Sequence, residues 1–566
     1  MGRLPRDPGV EGPRRSSGRA RPRAPPQPLC SPRRRCCGPR IQRRATRWSG
    51  RREGRRVFLA RCGSGVAQLR KGPLRRSIAW ERRSGQRATL SRMHELLALS
   101  LTELTERLRA RRASPVELMH AVMGRIDELN PRLNAFVALR ERDALLAAAA
   151  GAEARIARGE GRPLEGIPLG VKDLEDVQGL PTSHGSRIFA GQVADHTTTQ
   201  VLRLESAGAI VVGKTNTPEF GHTAITKNLV HGTTRSPWDL ERTPGGSSGG
   251  SAAALAGALC PLVTASDGGG SIRIPASFTG SFGLKVSFGR IPRGPFAQWE
   301  YDDTSVAGPL TKTVEDAALQ LDLCCGASPC DPNSLPHPGR SYVDALREAL
   351  PPGTRFGFSP DLGQAVVQSD VAGVVEEAAR VFGKLGHPLV SIEGGPPKLG
   401  IEWGLLGSFQ LLSRLHSYLP EREGDFTRAF AKGLRAGSRM TAERWGAIAR
   451  KRSELNAWCA ELFERVDLLL TPTVPYDPPP AGGPFPDEIE GRPQPPAGVA
   501  SFTIPFNLSW HPAATLRAGL SRRGLPVGLQ IVGPRHREDL VLRAALAFQR
   551  ERPWHPHWPT LAPGGE

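Results

Sequence analysis

The chain has 566 residues, of which 39% are hydrophobic, so it is long enough to bury a large core and to form more than one domain. Its formal net charge of +21 comes from one segment, because residues 1–92 carry 27 of the 76 Lys and Arg but 4 of the 55 Asp and Glu, a net of +23. Residues 93–566 have a net charge of −2, so we expect no nucleic-acid binding from this part.

Two further classes of protein are disfavoured by composition. No apolar stretch reaches the roughly 18 residues that a membrane-spanning helix needs, so we predict no membrane span. The nine cysteines follow no zinc-binding spacing, so we predict no metal site. Free thiols are typical of a reducing compartment, and we expect a cytoplasmic protein.

Residues 1–92 are rich in Arg, Pro, Gly and Ser and lack a sustained apolar period, which predicts a disordered basic extension. Three explanations of it stay open. Translation starts at Met93 and the upstream stretch is a mis-assigned extension of the reading frame, or the stretch is a basic arm for nucleic acid or anionic surfaces, or it is an Arg-rich transit peptide. The abrupt change of composition near Met93 favours the first, and we assign a single globular domain to 93–566.

The globular part opens with two predicted helix starts. Ser100 and Glu103 have the spacing of a capping box, and Ser114 and Glu117 form a second one with Pro115 at the first helical position. The second helix then places apolar residues on one face, at Leu118, Met119, Val122, Ile126 and Leu129.

Short apolar strands alternate with helices along the rest of the chain. Strands are predicted at 167–171, 209–212, 262–265, 466–470 and 527–532, and helices at 199–207, 251–259 and 538–549. This alternation indicates an α/β fold with a mostly buried sheet. A proline-rich stretch at 475–496 is long enough to be a surface excursion or a lid.

Two glycine-rich stretches carry the candidate chemistry, PGGSSGGS at 244–251 and SDGGGSIRIP at 266–275. About one helix and one strand separate them, so the fold can bring them together. Glycine runs let backbone N–H groups converge on an anion or an oxyanion, because no Cβ obstructs the approach. A phosphate site is a weak interpretation, since neither stretch ends in Gly-Lys-Ser/Thr or has the glycine spacing of a dinucleotide-binding loop.

Acyl transfer is the second interpretation. Ser271 follows Gly268, Gly269 and Gly270, so one short loop supplies a nucleophile and oxyanion donors, although the serine still needs a base. The third interpretation takes GGSSG at 245–249 as the G-x-S-x-G elbow of an α/β-hydrolase, with Ser247 as nucleophile. The elbow requires a preceding apolar strand, whereas 234–244 is polar and interrupted by prolines. The context disfavours the elbow. However, the His and Asp residues that a hydrolase triad would need do follow it in the chain, so residue content alone does not exclude it.

Both glycine-rich stretches, together with GVKDL at 170–174, resemble the amidase signature family. Ser247 and Ser271 are 24 positions apart, and Lys172 lies 75 positions before Ser247, and both intervals are similar to those of the family. Other family motifs recur as GKTNTPEF at 213–220, FGLK at 282–285, LTPT at 470–473 and LPVGLQ at 525–530. The resemblance covers about 97–554, with Val286 where many members have Pro, and it does not extend to 1–92.

The resemblance implies a role for each residue of a Ser–Ser–Lys triad. Ser271 attacks the amide carbonyl and forms an acyl-enzyme, Ser247 relays the proton, and Lys172 is the base, which must be neutral at rest. A cis peptide bond precedes Ser247 in the family. The backbone N–H groups of Gly268, Gly269, Gly270 and Ser271 would form the oxyanion hole.

The fold and function that the resemblance implies are an amidase signature fold, with a mixed central β-sheet covered by helices on both faces, and a cofactor-free amidase. Such an enzyme hydrolyses a carboxylic amide to an acid plus ammonia or an amine. A stand-alone amidase for a small-molecule amide leads, because 290–309 and 506–514 look more like stand-alone bacterial amidases. The alternative is the glutaminase component, the A chain, of a tRNA-dependent amidotransferase. A third hypothesis is a non-enzymatic basic interaction protein acting through 1–92, and a homodimer stays open.

Substrate preference is indicated only by composition near the expected pocket. The aromatic residues there hint at an aryl or alkyl acyl group, whereas a glutamine or urea site would need charged anchors; they are Phe296, Trp299, Trp403, Phe409, Phe502 and Phe506. Asp267 and Arg273 are interpreted as a structural pair that shapes the glycine-rich loop.

Overall fold

The structure is a computed structural model that describes residues 95–295, 303–419, 421–554 and 558–559. All of these lie within one compact unit, Pro73–Glu566. The predicted disordered extension at 1–92 lies outside the described residues.

The helices begin where the sequence supplies caps. Both predicted capping boxes are present, at Ser100 before the first helix and at Ser114 before the second. The helices are α1 Leu101–Arg109, α2 Pro115–Leu133, α3 Arg142–Ala157, α4 Thr199–Ser206, α5 Gly249–Ala256, α6 Arg273–Thr279, α7 Val314–Cys324, α8 Tyr342–Ala345, α9 Ser369–Lys384, α10 Gly400–Leu415, α11 Arg428–Gly437, α12 Ala442–Arg465, α13 Ile504–Leu508 and α14 Glu538–Glu551.

Each predicted strand is present, with its ends shifted by up to three residues, whereas the longest strand, Ala513–Leu520, was not predicted. The strands are β1 Phe136–Leu139, β2 Pro168–Lys172, β3 Ile210–Thr215, β4 Lys227–Asn228, β5 Gly232–Thr233, β6 Leu262–Val263, β7 Ser266–Asp267, β8 Phe282–Lys285, β9 Val306–Ala307, β10 Leu310–Thr311, β11 Phe356–Phe358, β12 Leu389–Ser391, β13 Leu468–Pro472, β14 Glu488–Ile489, β15 Arg492–Pro493, β16 Ala513–Leu520 and β17 Pro526–Val532.

Hydrogen bonding divides most of these strands between two mixed sheets. The first has four strands in the order β1-β3-β2-β6, with β1 antiparallel and the other pairs parallel. The second has seven strands in the order β10-β8-β16-β17-β13-β11-β12, antiparallel up to β13 and parallel beyond it. The expected α/β class with mixed β-structure is confirmed, and a large apolar core packs the helices against the sheets.

The site lies where β2, α5 and α6 come together. Strand β2 is buried along its whole length and ends at Lys172. Helix α5 is also buried throughout, and its small residues allow it to pack closely on β2 and β6. Because Ser247 immediately precedes the cap of α5 and Ser271 lies just before α6, both serines sit at helix starts beside the end of β2.

The proline-rich stretch at 475–496 is not an irregular excursion along its whole length. Its second half folds as a short antiparallel hairpin, β14–β15, with Glu488 opposite Pro493. Its first half pairs back on the chain before the first glycine-rich stretch, since the Thr243 N–H donates to the Pro479 carbonyl over 3.0 Å.

Candidate active site

Lys172 is held at the centre of the site by three hydroxyl groups. Its side chain is fully buried, and Nζ donates to Ser247 Oγ at 2.9 Å and to Ser266 Oγ at 2.7 Å. Its backbone N–H donates to Thr264 Oγ1 at 2.9 Å, which fixes the end of β2. The predicted pairing of Lys172 with Ser247 is therefore present. Ser266 was missed, because its position at the start of the second glycine-rich stretch gave no sign that it faces a lysine.

Ser247 is fixed from both sides of its backbone. The Gly246–Ser247 peptide bond is cis, as the family resemblance implied. The Ser247 carbonyl accepts a 3.1 Å hydrogen bond from Thr217 Oγ1, and the next N–H, from Ser248, donates to the Ser271 carbonyl over 3.3 Å. The last bond joins the two glycine-rich stretches directly, as their spacing allowed.

The glycine-rich loop before Ser271 packs against two side chains that leave no room for a Cβ. A Cβ at Gly269 would lie 2.3 Å from Cζ2 of Trp403, and one at Gly270, whose φ is +137°, would lie 2.5 Å from Thr503 Oγ1. Trp403 Nε1 donates to the Gly268 carbonyl at 2.9 Å, and Thr503 Oγ1 donates to the Gly269 carbonyl at 2.6 Å. These two hydrogen bonds restrain the conformation of the loop.

A buried ion pair supports this loop from behind. Asp267 and Arg273 are both fully buried and lie 2.9 Å apart, so their interpretation as a structural pair is confirmed. Arg273 also donates to Gln530 Oε1 at 2.9 Å and to Asn507 Oδ1 at 2.5 Å. Burial alone would raise the pKa of Asp267, but Arg273 and the Asn507 amide together hold it well below its usual range.

Asp267 also orients the backbone around the nucleophile candidate. Its carboxylate accepts hydrogen bonds from the N–H groups of Gly270 at 2.7 Å, Ile272 at 3.1 Å and Arg273 at 3.3 Å. Of the four N–H groups predicted for an oxyanion hole, the one at Gly270 is therefore used inside the loop. The residues Gly268, Gly269 and Ser271 line the adjoining cavity.

This cavity has a volume of about 170 Å³ and brings Ser247, Ser266 and Ser271 to one space. Its other walls are mostly apolar, and the larger contributors are Phe220, Ile274, Trp403, Phe485, Val499 and Ile504. Within the described ranges, no Lys, Arg, Asp or Glu side chain lines it.

The aromatic residues expected around the pocket do not all lie there. Trp403 lines the cavity, whereas Phe502 and Phe506 are fully buried in the core and Phe409 is 38% exposed. Phe296 and Trp299 lie outside the described residues. Phe220 and Phe485 form the wall instead. Sequence patterning could not find them, because one lies in a tight turn and the other in the proline-rich stretch.

One wall of the cavity is attached to a helix by a buried carboxylate. Glu219 accepts hydrogen bonds from Ser186 Oγ at 2.8 Å and from the N–H and hydroxyl of Thr427, at 2.8 and 2.7 Å, just before α11. Burial raises the pKa of Glu219 in spite of these bonds. Burial also lowers the pKa of His222, on the same wall, to about 4, so this imidazole is neutral at neutral pH.

The described residues contain neither a metal-binding cluster nor a membrane-spanning helix. In the ranges that the structure covers, no group of three or more His, Cys, Asp or Glu side chains could hold a metal ion. No helix in the same ranges is long and apolar enough to cross a membrane.

Comparison with known proteins places the chain in a family. Residues 117–542 match the model of the amidase family. The chain is 35% identical over 474 residues to an acylamidase of Rhodococcus erythropolis, covering 81% of this chain and 96% of that protein. It is 36% identical over 478 residues to the A chain of the glutamyl-tRNA(Gln) amidotransferase of Thermus thermophilus, covering 79% of this chain and 96% of that one.

A solved structure supports the same assignment. The crystal structure of a bacterial aryl acylamidase of the amidase signature family superposes with a TM-score of 0.76 at 30% identity, over 81% of this chain and 97% of that one. Since the family model and relatives of nearly full length both match, the chain belongs to the amidase signature family and is an amide-hydrolysing enzyme.

Proposed function

We propose that this enzyme hydrolyses an amide whose acyl group is apolar and uncharged, through a Ser–Ser–Lys relay. The observation that carries the proposal is the 2.9 Å contact of Lys172 Nζ with Ser247 Oγ, on a cavity that Ser271 shares. Removing an ammonium from water is costly, so full burial favours the neutral amine that a general base requires.

In the first half of the reaction, Ser271 Oγ attacks the amide carbonyl carbon. The hydroxyl proton passes to Ser247 Oγ, while the Ser247 proton passes to Lys172 Nζ. The C–N bond then breaks, and the leaving amine takes a proton back through the same chain. In the second half, water attacks the acyl-enzyme by the same proton route and releases the acid.

The oxyanion of each tetrahedral intermediate is stabilised by backbone N–H groups of Gly268, Gly269 and Ser271. Gly270 is left out of this set because its N–H donates to Asp267. In other serine hydrolases the loss of one such donor costs about 3–4 kcal/mol of transition-state stabilisation. Trp403 and Thr503 support this role by holding the carbonyls of Gly268 and Gly269.

The apolar cavity favours an aryl or alkyl amide over free glutamine. A glutamine brings an ammonium and a carboxylate, and burying either without a partner costs several kcal/mol. The cavity side chains described offer neither a carboxylate nor a cation, and His222 is neutral. Relatives of both kinds match the chain at similar identity, so the glutaminase of an amidotransferase is the alternative that the assay must address.

Intact mass after treatment with a fluorophosphonate tests the nucleophile. We expect the wild-type chain to gain one adduct, Ser271→Ala to gain none, and Ser305→Ala, another cavity serine, to label like the wild type. Labelling of Ser271→Ala at Ser247 would support the hydrolase elbow instead. Absence of labelling in every variant would contradict the relay.

Hydrolysis rates test the substrate class. We expect kcat/KM for an acylanilide to exceed that for L-glutamine by at least about 100-fold, the factor that a desolvation difference of about 3 kcal/mol supplies. Equal rates, or a preference for glutamine, would favour the amidotransferase glutaminase.

A further inference from the structure

A second cavity lies next to the candidate active site. It has a volume of about 640 Å³ and is walled on one side by the proline-rich stretch at 475–496. Its surface combines prolines with the aromatic rings of Tyr476 and Phe485, so it can accept an alkyl chain. We call this space the proline groove.

Two buried polar atoms in the proline groove have no protein partner among the described residues. Asp477 is 7% exposed and Tyr476 4% exposed, and both line the groove. Neither Asp477 Oδ1 nor the Tyr476 hydroxyl makes a hydrogen bond within the described part of the chain. The other carboxylate oxygen of Asp477 accepts a single 3.3 Å bond from Gln368 Nε2. A buried carboxylate with so little support is costly unless a cation reaches it.

The other charged groups of the groove are already engaged or exposed. The Asp370 carboxylate accepts from Gln368 Nε2 at 2.6 Å and from the Arg522 N–H at 3.0 Å. Glu490 accepts from the Ser369 N–H at 2.9 Å.

The arginines that line the groove bind other partners or are exposed to solvent. Arg242 donates to the Pro478 carbonyl at 3.3 Å and pairs with Asp239 at 3.7 Å. Arg522 and Arg523 are exposed, as is Glu488. The buried Asp477 is therefore the acceptor in the groove that most needs a cationic partner.

The groove is close to the reacting serines. Phe485 lines both the groove and the active-site cavity. Arg242, in the groove, is four residues before Gly246, in the cavity, and a chain of four residues spans at most about 14 Å. A leaving group with a chain of about six carbons spans roughly 9 Å from the scissile nitrogen to its terminal nitrogen, which lies within this upper bound.

We propose that the proline groove binds the protonated primary amine at the far end of the substrate's leaving group, with Asp477 Oδ1 and the Tyr476 hydroxyl as its acceptors. The proposal rests on the proposed amide hydrolysis at Ser271. The substrate class that it names is an N-(ω-aminoalkyl) amide, which yields an acid and a diamine. Its alkyl chain lies along the prolines and Phe485, and its ammonium ends at Asp477.

Equilibrium binding to the full-length Ser271→Ala chain tests the groove without any hydrolysis. We expect hexylammonium to bind at least about tenfold more tightly than hexanol, because the ammonium adds hydrogen bonds to a carboxylate. Asp477→Asn should abolish this difference. Asp487→Asn, which removes an exposed carboxylate of the same stretch, should retain it.

Tyr476→Phe keeps the ring and removes one acceptor, so it should weaken hexylammonium binding about threefold to tenfold even if Asp477→Asn does not fold. Equal binding of hexylammonium and hexanol would overturn the proposal and leave a hydrated groove. Equal weakening in Asp477→Asn and Asp487→Asn would overturn it as a non-specific charge effect.

Kinetics separate this proposal from the proposed function. We expect the wild type to favour the N-(6-aminohexyl) amide of an aryl acid over its N-hexyl amide by about tenfold in kcat/KM, and Asp477→Asn to lose that preference. Hydrolysis of both amides at equal rates would overturn the groove proposal alone. Hydrolysis of neither, with hexylammonium binding intact, would contradict the proposed hydrolysis alone.

Discussion

Asp267→Asn tests how strongly the buried ion pair stabilises the fold. In the wild type, the Asp267 carboxylate accepts from three backbone N–H groups and from Arg273, and both side chains are fully buried. The asparagine keeps part of the hydrogen bonding but leaves the Arg273 charge buried without a counter-charge. Breaking such a pair costs about 3–5 kcal/mol. We expect the free energy of unfolding to fall by this amount.

Urea denaturation followed by tryptophan fluorescence measures the change. The matched control is Asp467→Asn, which breaks the pair of Asp467 with Arg355, whose side chains are 36% and 41% exposed. A pair this exposed contributes at most about 1 kcal/mol. Equal losses in the two variants would refute the reasoning that burial makes the Asp267 pair expensive to break.

The same variant has a pH signature. The pKa of Asp267 in the folded chain lies well below its ordinary value, which for aspartate is about 3.9. Its contribution is therefore fully present above about pH 4 and is lost as the pH falls toward the folded pKa. The difference in unfolding free energy between the wild type and Asp267→Asn should be about 1 kcal/mol smaller at pH 3 than at pH 7. A difference that grows on acidification would contradict the sign.

Three further substitutions test the site. Ser266→Ala removes an acceptor from Lys172 Nζ, and we expect kcat/KM to fall about tenfold with a changed pH profile, whereas an unchanged profile would exclude a role in positioning the base. Gly269→Ala places a Cβ 2.3 Å from Trp403, so kcat should fall at least about tenfold in an amide hydrolysis assay. An unchanged kcat would show that the loop can move away from Trp403 without loss of activity. Trp403→Phe removes the hydrogen bond to the Gly268 carbonyl, and we expect about fivefold lower kcat with a smaller change in KM; the reverse pattern would make Trp403 a substrate-binding wall only.

Local sequence patterns predicted five of the helices and five of the strands described above. The capping boxes at Ser100 and Ser114 are present as predicted, because cap bonds join residues three positions apart and need no tertiary contact. Strand ends shifted, as where β13 runs through Pro472, because pairing with β17 decides how far a strand extends. The division of the strands into two sheets depends on long-range pairing, and patterning carries no signal for it.

The glycine-rich motifs by themselves left several interpretations open, and their resemblance to the amidase signature family implied the contact of Lys172 with Ser247. Ser266 and Phe220 were missed although both lie in motifs that the sequence analysis names, since the chemistry of those motifs gives neither residue a role. The assignment of Gly270 to the oxyanion hole could not be tested by spacing. Consecutive N–H groups are equivalent in sequence, and the Asp267 carboxylate makes them different in space.

The sequence by itself determined the α/β class and the capped helix starts, because these depend on local propensity and patterning. Lys172, Ser247 and Ser271 were assigned through the resemblance of their motifs to the amidase signature family, and their roles stay a prediction. The tertiary structure alone decided which groups surround them. The hydroxyl of Ser266 beside Lys172, Trp403 on the glycine-rich loop, and the position of Asp477 in the proline groove all depend on contacts between distant segments. These neighbours are selected when distant segments pack together. Packing depends on the three-dimensional shape and charge of the segments, and a linear sequence pattern does not contain that information.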